Sequence, residues 1–328
     1  MASYSVIITS GEVIIAGGQI FKMATSRFVD MSEEEINLRK ENAIPRNTKH
    51  ATKFGMTLFK DSHIDRVNKE LQELGYKPGD PLKVDDVNKF DQMHYYGSKA
   101  VDEAINMLGI SSSHKVLDVG SGLGGPARHL AHTTNCSVTC LELQEDLHAS
   151  GENLTRRCNL QDKVTHISGD FLKMDLGDGC FDFIVSWLVF LHIPDKQSLF
   201  ERCFNNLKPG GKIFIEDFYQ KSGVVLTEDD LRIYERDLYM SKLAEKDAYM
   251  SQVKAAGFTD VQFDDLTESY LSFVSNRHQE FCKQRERHVR VIGEDAFDSL
   301  EYFYSKTLHV FTKGITGGCR VIATKPAV

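Results

Sequence analysis

Paired cysteines are the first thing this sequence lacks. Its 328 residues hold seven cysteines, an odd number, scattered and without a CxxC pair. A disulfide framework or a cysteine-spaced metal site is therefore not expected. Reduced thiols point to an intracellular, cytoplasmic setting. A run of about 18 apolar residues is also missing, so no membrane span is expected. Residues 5–21 are fairly apolar, but Glu12 interrupts them and no basic residue precedes them, which makes a poor signal peptide. Positive charge is not in excess: 39 Lys and Arg face 47 Asp and Glu, for a net charge of −8. A nucleic acid is thus not expected as the main partner, because phosphate binding needs clustered Lys and Arg. The basic run from Lys283 to Arg287 is interrupted by Glu286 and reads as a solvated helix face. No repeat or low-complexity segment is visible.

What is present is an ordinary globular composition, 41% hydrophobic and 26% charged. The length suits one large domain or a domain with an appendage. The organising stretch runs from Val116 to Gly125, VLDVGSGLGG, ahead of Pro126-Ala127-Arg128. An apolar run, a glycine-rich turn and a helix start are the opening of a βαβ unit. The glycines permit a tight turn and close approach of a ligand, and the helix behind them offers unpaired N–H groups. Asp118, two residues before the first glycine, can order the turn and face a cationic ligand. Glu142 ends the next apolar run, 22 residues after Gly120, where an acid can take both hydroxyls of a ribose. Gly169-Asp170-Phe171 closes a third strand-like run, Val164 to Ile167.

Taken in order, Val6–Ile8 and Val13–Ile15 are short β-like runs that could form a small hairpin or a frayed tail. Ser32-Glu33-Glu34-Glu35 reads as a helix N-cap with acids in its first turn. Residues 64–76 carry Ile64, Val67, Leu71 and Leu74 at helical spacing, with Gly75 as the cap. A turn follows from Tyr76 to Pro81. The segment Phe90 to Gly97 carries His94, Tyr95 and Tyr96, three successive polar-tipped rings that suit a site better than a core. A helix over 98–108 comes next. Strands are expected at 115–119, 137–142, 164–168, 181–187 and 212–217 with helices between them. That alternation means a mostly parallel sheet covered on both faces, with ligands beyond the strands' carboxyl ends. Helices are expected at 227–242 and 246–256, a strand near 259–265, aromatic-rich helices over 268–313 and a last strand from about Gly318 to Thr324.

The ordered set VLDVGSGLGG, LELQ, GDF, FDFIVSW and LKPGG resembles the class I S-adenosylmethionine-dependent methyltransferases, over about Phe90 to the C-terminus. The resemblance implies an α/β, doubly wound, mostly parallel seven-stranded Rossmann-like sheet whose last two strands form an antiparallel edge hairpin. The long insertion between those two strands reads as a helical lid. On this reading residues 1–62 are an N-terminal extension, expected to be flexible, and 63–328 the methyltransferase domain. The domain divides into a cover (63–110), a cofactor-binding core (111–222) and the lid with terminal strands (223–328). The implied cofactor is S-adenosyl-L-methionine. Asp118, Gly120, Gly122 and Gly124 would meet its methionine end, Glu142 the ribose, Asp170 and Phe171 the adenine, and Ser186 and Trp187 would lie beside the reaction centre, with Ser121 and Leu143 also in the cofactor-binding set. No metal is implied.

Methyl transfer from a sulfonium is an in-line displacement that needs alignment and exclusion of water, and an amine acceptor must also lose its proton. In phosphoethanolamine-type methyltransferases a functional His pairs with a Tyr from the cover. Here the matching segment is Ser186 to His192, which makes His192, Tyr95 and Tyr96 the catalytic candidates. The acid those enzymes carry at the position of Leu188 is absent, which weakens the case for a phosphobase. No Asn-Pro-Pro-Tyr motif follows the fourth strand and no Pro-Cys dipeptide occurs, which disfavours adenine, glutamine and cytosine acceptors. The expected function is methyl transfer to a small-molecule acceptor, foremost an amine of the sarcosine or dimethylglycine kind. The alternatives are C-methylation of a sterol or prenyl lipid, and a non-catalytic cofactor-binding partner protein. Wall residues of the acceptor pocket are expected among Glu216, Asp217, Asp230, Asp237, Tyr234 and Tyr239.

Overall fold

The computed structural model describes three short strands near the N-terminus and residues 60–327. β1 (Ile7–Thr9) and β2 (Glu12–Ile15) pair antiparallel with Ile7 opposite Ile14, and β3 (Gln19–Phe21) adds to β2. The expected helix start at Ser32 lies outside the described residues. The expected helix at 64–76 is α1 (Lys60–Glu73). It begins four residues early and stops before Gly75, whose φ of 91° only glycine adopts readily. Val67 and Leu71 of α1 pack on Leu82, Val87, Leu123 and Leu147.

α2 (Val84–Val87) and α3 (Ser98–Leu108) lead into the sheet. β4 (Lys115–Val119), α4 (Gly125–Thr134), β5 (Ser137–Glu142), α5 (Glu145–Arg157), β6 (Val164–Ser168) and β7 (Phe181–Trp187) alternate as expected. After a 3₁₀ turn at Phe190–His192 come α6 (Lys196–Asn206) and β8 (Leu207–Gln220), which extends the expected strand at both ends. The seven-stranded sheet has the order β6-β5-β4-β7-β8, then β10 (Thr316–Thr324) and, at the edge, β9 (Thr259–Asp265). β4 to β8 are parallel, and β10 runs antiparallel to both β8 and β9.

Alternate side chains of each strand enter cores on opposite faces. Leu117, Val119, Ile184, Ile213 and Val321 pack under α6 and α8 (Lys246–Ala255), with Phe200 and Val253. Val116, Val138, Val185 and Phe214 pack under α3 and α4, with Val101 and Leu130. Buried on both faces, the strands read as near-continuous apolar runs. The chain winds from β4 towards β6 and then returns past β4 to β7, so the order reverses between β4 and β7. A crevice opens at the carboxyl ends of such a switch point.

The expected helix at 227–242 is shorter. α7 (Glu228–Arg232) starts with a Thr227–Asp230 capping box and runs into one π turn, Ile233–Asp237. Tyr239, at φ 55°, breaks it, and Met240 N–H donates back to the Tyr234 carbonyl. Between β9 and β10 stand α9 (Thr267–Lys283), α10 (Arg285–Ile292) and α11 (Glu294–Thr312). All seven cysteines are free, and four are buried. No helix among the described residues is long and apolar enough to cross a membrane.

Candidate cofactor and acceptor site

The turn after β4 holds Gly120, Gly122 and Gly124 at φ values of 73°, 54° and 75°. A Cβ on Gly120 would lie 2.4 Å from Val189 Cγ1, so crowding within the protein adds to the backbone requirement. A Cβ on Gly122 would meet only Met93 Sδ, at 3.7 Å. The space over Gly122 is therefore where a ligand can approach the backbone. Glu142 at the end of β5 ties the turn: its Oε2 accepts from Gly122 N–H and its Oε1 from Gln144 N–H, each at 2.8 Å.

Asp118 is buried, and its Oδ2 has no partner among the described residues. Burial, reinforced by the charge of Glu142, pushes its carboxyl up to about 8. Burial also raises Glu142, against the backbone N–H groups of Gln144 and Gly122 that stabilise its charge. Two buried acids thus lie together at a glycine turn, an arrangement that a cation relieves. Ser121 Oγ beside them is buried next to the Cys140 thiol. Leu143, 47% exposed, offers apolar surface at the rim. Asp170 caps its own turn, accepting from Leu172 N–H at 3.0 Å, and pairs with Lys173. Phe171 is buried behind it. Ser186 Oγ donates to the Val119 carbonyl at 3.0 Å, joining the ends of β4 and β7. The Trp187 ring packs on His94 and Phe214, its indole nitrogen without a hydrogen-bond partner among the described residues.

The segment from Phe90 to Gly97 folds over this opening. Asp91 pins it: the carboxylate pairs at 2.7 Å with Arg128 of α4, both side chains fully buried. Arg128 also donates to the Leu123 and Gly151 carbonyls and to Thr155 Oγ1. One guanidinium therefore joins cover, glycine turn and α5. Tyr95 is buried against Phe273 (stacked, 4.8 Å), Tyr270 (edge-on, 4.8 Å) and Phe218, and burial pushes its phenol up to about 12. Tyr96, at φ 61° and half-exposed, donates its phenol to the Ser269 carbonyl at 2.6 Å. Both tyrosines thus join the cover to α9. Over them lies Arg277, its guanidinium 4.9 Å from the Tyr95 ring, 5.5 Å from Phe273 and 4.2 Å from Tyr304 of α11. Its Nε and Nη2 are buried without a hydrogen-bond partner among the described residues.

His192 follows Leu191, which packs in the same cluster as Tyr95. Its Nδ1 lies 2.7 Å from the Tyr239 carbonyl, which can only accept, so Nδ1 carries the proton and Nε2 keeps a free lone pair. Burial lowers the imidazole to about 4, which leaves it neutral at physiological pH. Among the described residues, neither Tyr95 nor Tyr96 hydrogen-bonds to it.

The expected acidic wall needs correction. Glu216 is neutralised by Arg320, which also holds Glu103, and Asp230 is held by Lys313. Tyr234 spends its phenol on Thr316. Buried carboxylates demand partners, and the bases arrive from elements remote in sequence. Asp217 is buried and accepts from Phe218 N–H at 2.8 Å; burial raises it to about 7 against the nearby charge of Lys196, and Asp237 interacts with Tyr302.

A family model described as a methyltransferase domain matches residues 117–215, from the middle of β4 to the middle of β8. The match and the strand order identify a class I S-adenosylmethionine-dependent methyltransferase domain. Phosphoethanolamine N-methyltransferase 1 of Triticum aestivum is 28% identical to this methyltransferase over 259 residues, 78% of this chain and 50% of that protein. Sterol 24-C-methyltransferase ERG6 of Saccharomyces cerevisiae is 29% identical over 180 residues, 54% of this chain and 45% of that protein. The chain thus spans about half the length of these curated relatives. Among solved structures, phosphoethanolamine N-methyltransferase 2 of Haemonchus contortus in complex with S-adenosyl-L-methionine has a TM-score of 0.70 at 20% identity, covering 86% of this chain and 61% of that one, a likeness of fold.

The donor set fits the family's cofactor, S-adenosylmethionine. The unpartnered Asp118 oxygen suits an ammonium, and the space over Gly122 suits close approach. Sequence reading of the site missed Asp91, Arg128 and Arg277. The one available signal for Arg128 was a cation between Ala127 and Leu130, at the buried face of an otherwise apolar first turn.

Proposed function

We propose that this methyltransferase N-methylates a small amine that carries its own carboxylate, as sarcosine and dimethylglycine do. The observation that carries the proposal is Arg277. A guanidinium that faces the Tyr95 phenol while its Nε and Nη2 stay buried without a hydrogen-bond partner among the described residues, beside Phe273 and Tyr304, suits a bidentate anion. Bound S-adenosylmethionine supplies the methyl group as an electrophile on sulfur. Asp118 and Glu142 would hold its ammonium and ribose, with Ser121, Leu143, Asp170, Phe171, Ser186 and Trp187 lining the rest.

An amine kept from water beside Arg277 has its ammonium form penalised, so the nucleophilic form is populated closer to neutrality. His192, neutral with Nε2 free, supports a role as proton acceptor, and Tyr95 and Tyr96 a role in holding the cover shut. The test is transfer of labelled methyl to a panel of amino acids, phosphorylated amines, sterols and prenyl lipids. Label on amino-acid nitrogens, with Arg277→Met raising KM for them about tenfold or more, is the expected result. Preference for phosphoethanolamine, or label confined to a sterol or prenyl carbon, would overturn the proposal.

A further inference from the structure

The lid carries a second cluster that the site above does not use. His278 and Cys282 stand one turn apart on α9 and so share a face. Glu301 reaches them from α11. One imidazole nitrogen, Cys282 Sγ and one Glu301 oxygen all lie within 4.8 Å of one another, and all three residues are half-buried. His278 Nε2 is already 2.8 Å from Glu301 Oε1. Tetrahedral zinc, with bonds of roughly 2.0–2.3 Å, sets its ligand atoms roughly 3.3–3.6 Å apart. Small side-chain rotations bring the cluster to that spacing.

We propose that His278, Cys282 and Glu301 bind one zinc ion that clips α9 to α11, with water in the fourth position. The donor set selects the metal. Nitrogen, sulfur and carboxylate together suit a borderline-soft ion, whereas calcium and magnesium take oxygen ligands. A His278–Glu301 hydrogen bond alone would account for two of the three residues and leave Cys282 without a role.

The clip has a structural consequence. Arg277 precedes His278 in α9, and Tyr304, which faces Arg277 at 4.2 Å, lies one turn beyond Glu301 in α11. Zinc would therefore fix the two helices that form the walls of the Arg277 bracket. Spacing along the chain cannot reveal such a site, because its ligands come from two helices.

The test uses the whole protein, stripped with a chelator that is then removed, and titrated with Co²⁺ followed by Zn²⁺. One equivalent of Co²⁺ should bind with a thiolate-to-cobalt charge-transfer band, and Zn²⁺ should displace it. Cys282→Ser should abolish the band and weaken binding about tenfold or more. Glu301→Gln, which can still hydrogen-bond His278 and so should fold, should weaken it similarly. Zn²⁺ should also slow amide exchange in α9 and α11. Absence of the band in the wild-type protein, or wild-type affinity in both variants, would overturn the proposal.

Discussion

Asp118 is a residue whose energetics can be read from its surroundings. Its carboxyl lies near 8 in the ligand-free fold and near 4 in the unfolded chain, so the folded state binds the extra proton between those values. Stability therefore falls as pH rises through that window. Asp217, near 7, acts in the same direction. The neutral His94 and His192, both near 4, act oppositely, but only below the ordinary histidine value of about 6.5. Between pH 6.5 and 8 these two acids favour the folded state less as pH rises, and the melting temperature of the ligand-free protein should fall. A cofactor ammonium beside Asp118, as proposed, would restore its charge. Calorimetry in buffers of different ionisation enthalpy should then show proton release on binding at pH 7, absent in Asp118→Asn; equal proton counts for both proteins would refute the placement. His192 invites a separate measurement. If it accepts the amine proton, His192→Ala should lose roughly 10²–10⁴-fold in turnover with cofactor affinity intact. A lower melting temperature with normal turnover would mark it instead as the residue that holds the Tyr239 loop.

Among elements, the cover depends on a buried ion pair and the lid on aromatic packing. Asp91 and Arg128 are both fully buried, and removing one leaves the other charged and unpaired. Arg128→Met should cost about 3–5 kcal/mol in denaturant unfolding. The double variant with Asp91→Asn should cost less than the sum of the singles, because the two share one interaction. Additive losses under about 1 kcal/mol would show that the cover is held by other contacts. α9 contributes Phe273 and Arg277 to the same region, so cover and lid form one wall built from opposite ends of the chain. α1 is tied to α10 as well, through Glu70 and Glu73 with Arg287 and Arg290.

For the whole molecule, the proposed boundary near residue 62 cuts the first turn from α1, which begins at Lys60. Removal of residues 1–59 should leave melting temperature and activity unchanged, whereas an insoluble or inactive product would place those residues inside the domain. The sheet was legible because its signals are local: apolar runs ending in Asp118, Glu142 and Trp187, and glycines where the backbone turns left-handed. The helix over 227–242 was misjudged because periodicity does not register the capping box or the left-handed Tyr239. Electrostatic partners were not legible at all. Glu216 meets Arg320 across 104 residues and Asp230 meets Lys313 across 83, and both pairings exist only once β10 lies beside β8 and α11 has packed on the lid. By itself the sequence determined the βα order, the glycine turn and the acids at the strand ends, since each follows from propensity and spacing within a few residues. Tertiary structure alone decided which of those acids stay unpaired, where Arg277 and its rings converge, and what His192 can still do. Burial and long-range pairing set the charge of a group, and neither is a property of the residues next to it in the chain.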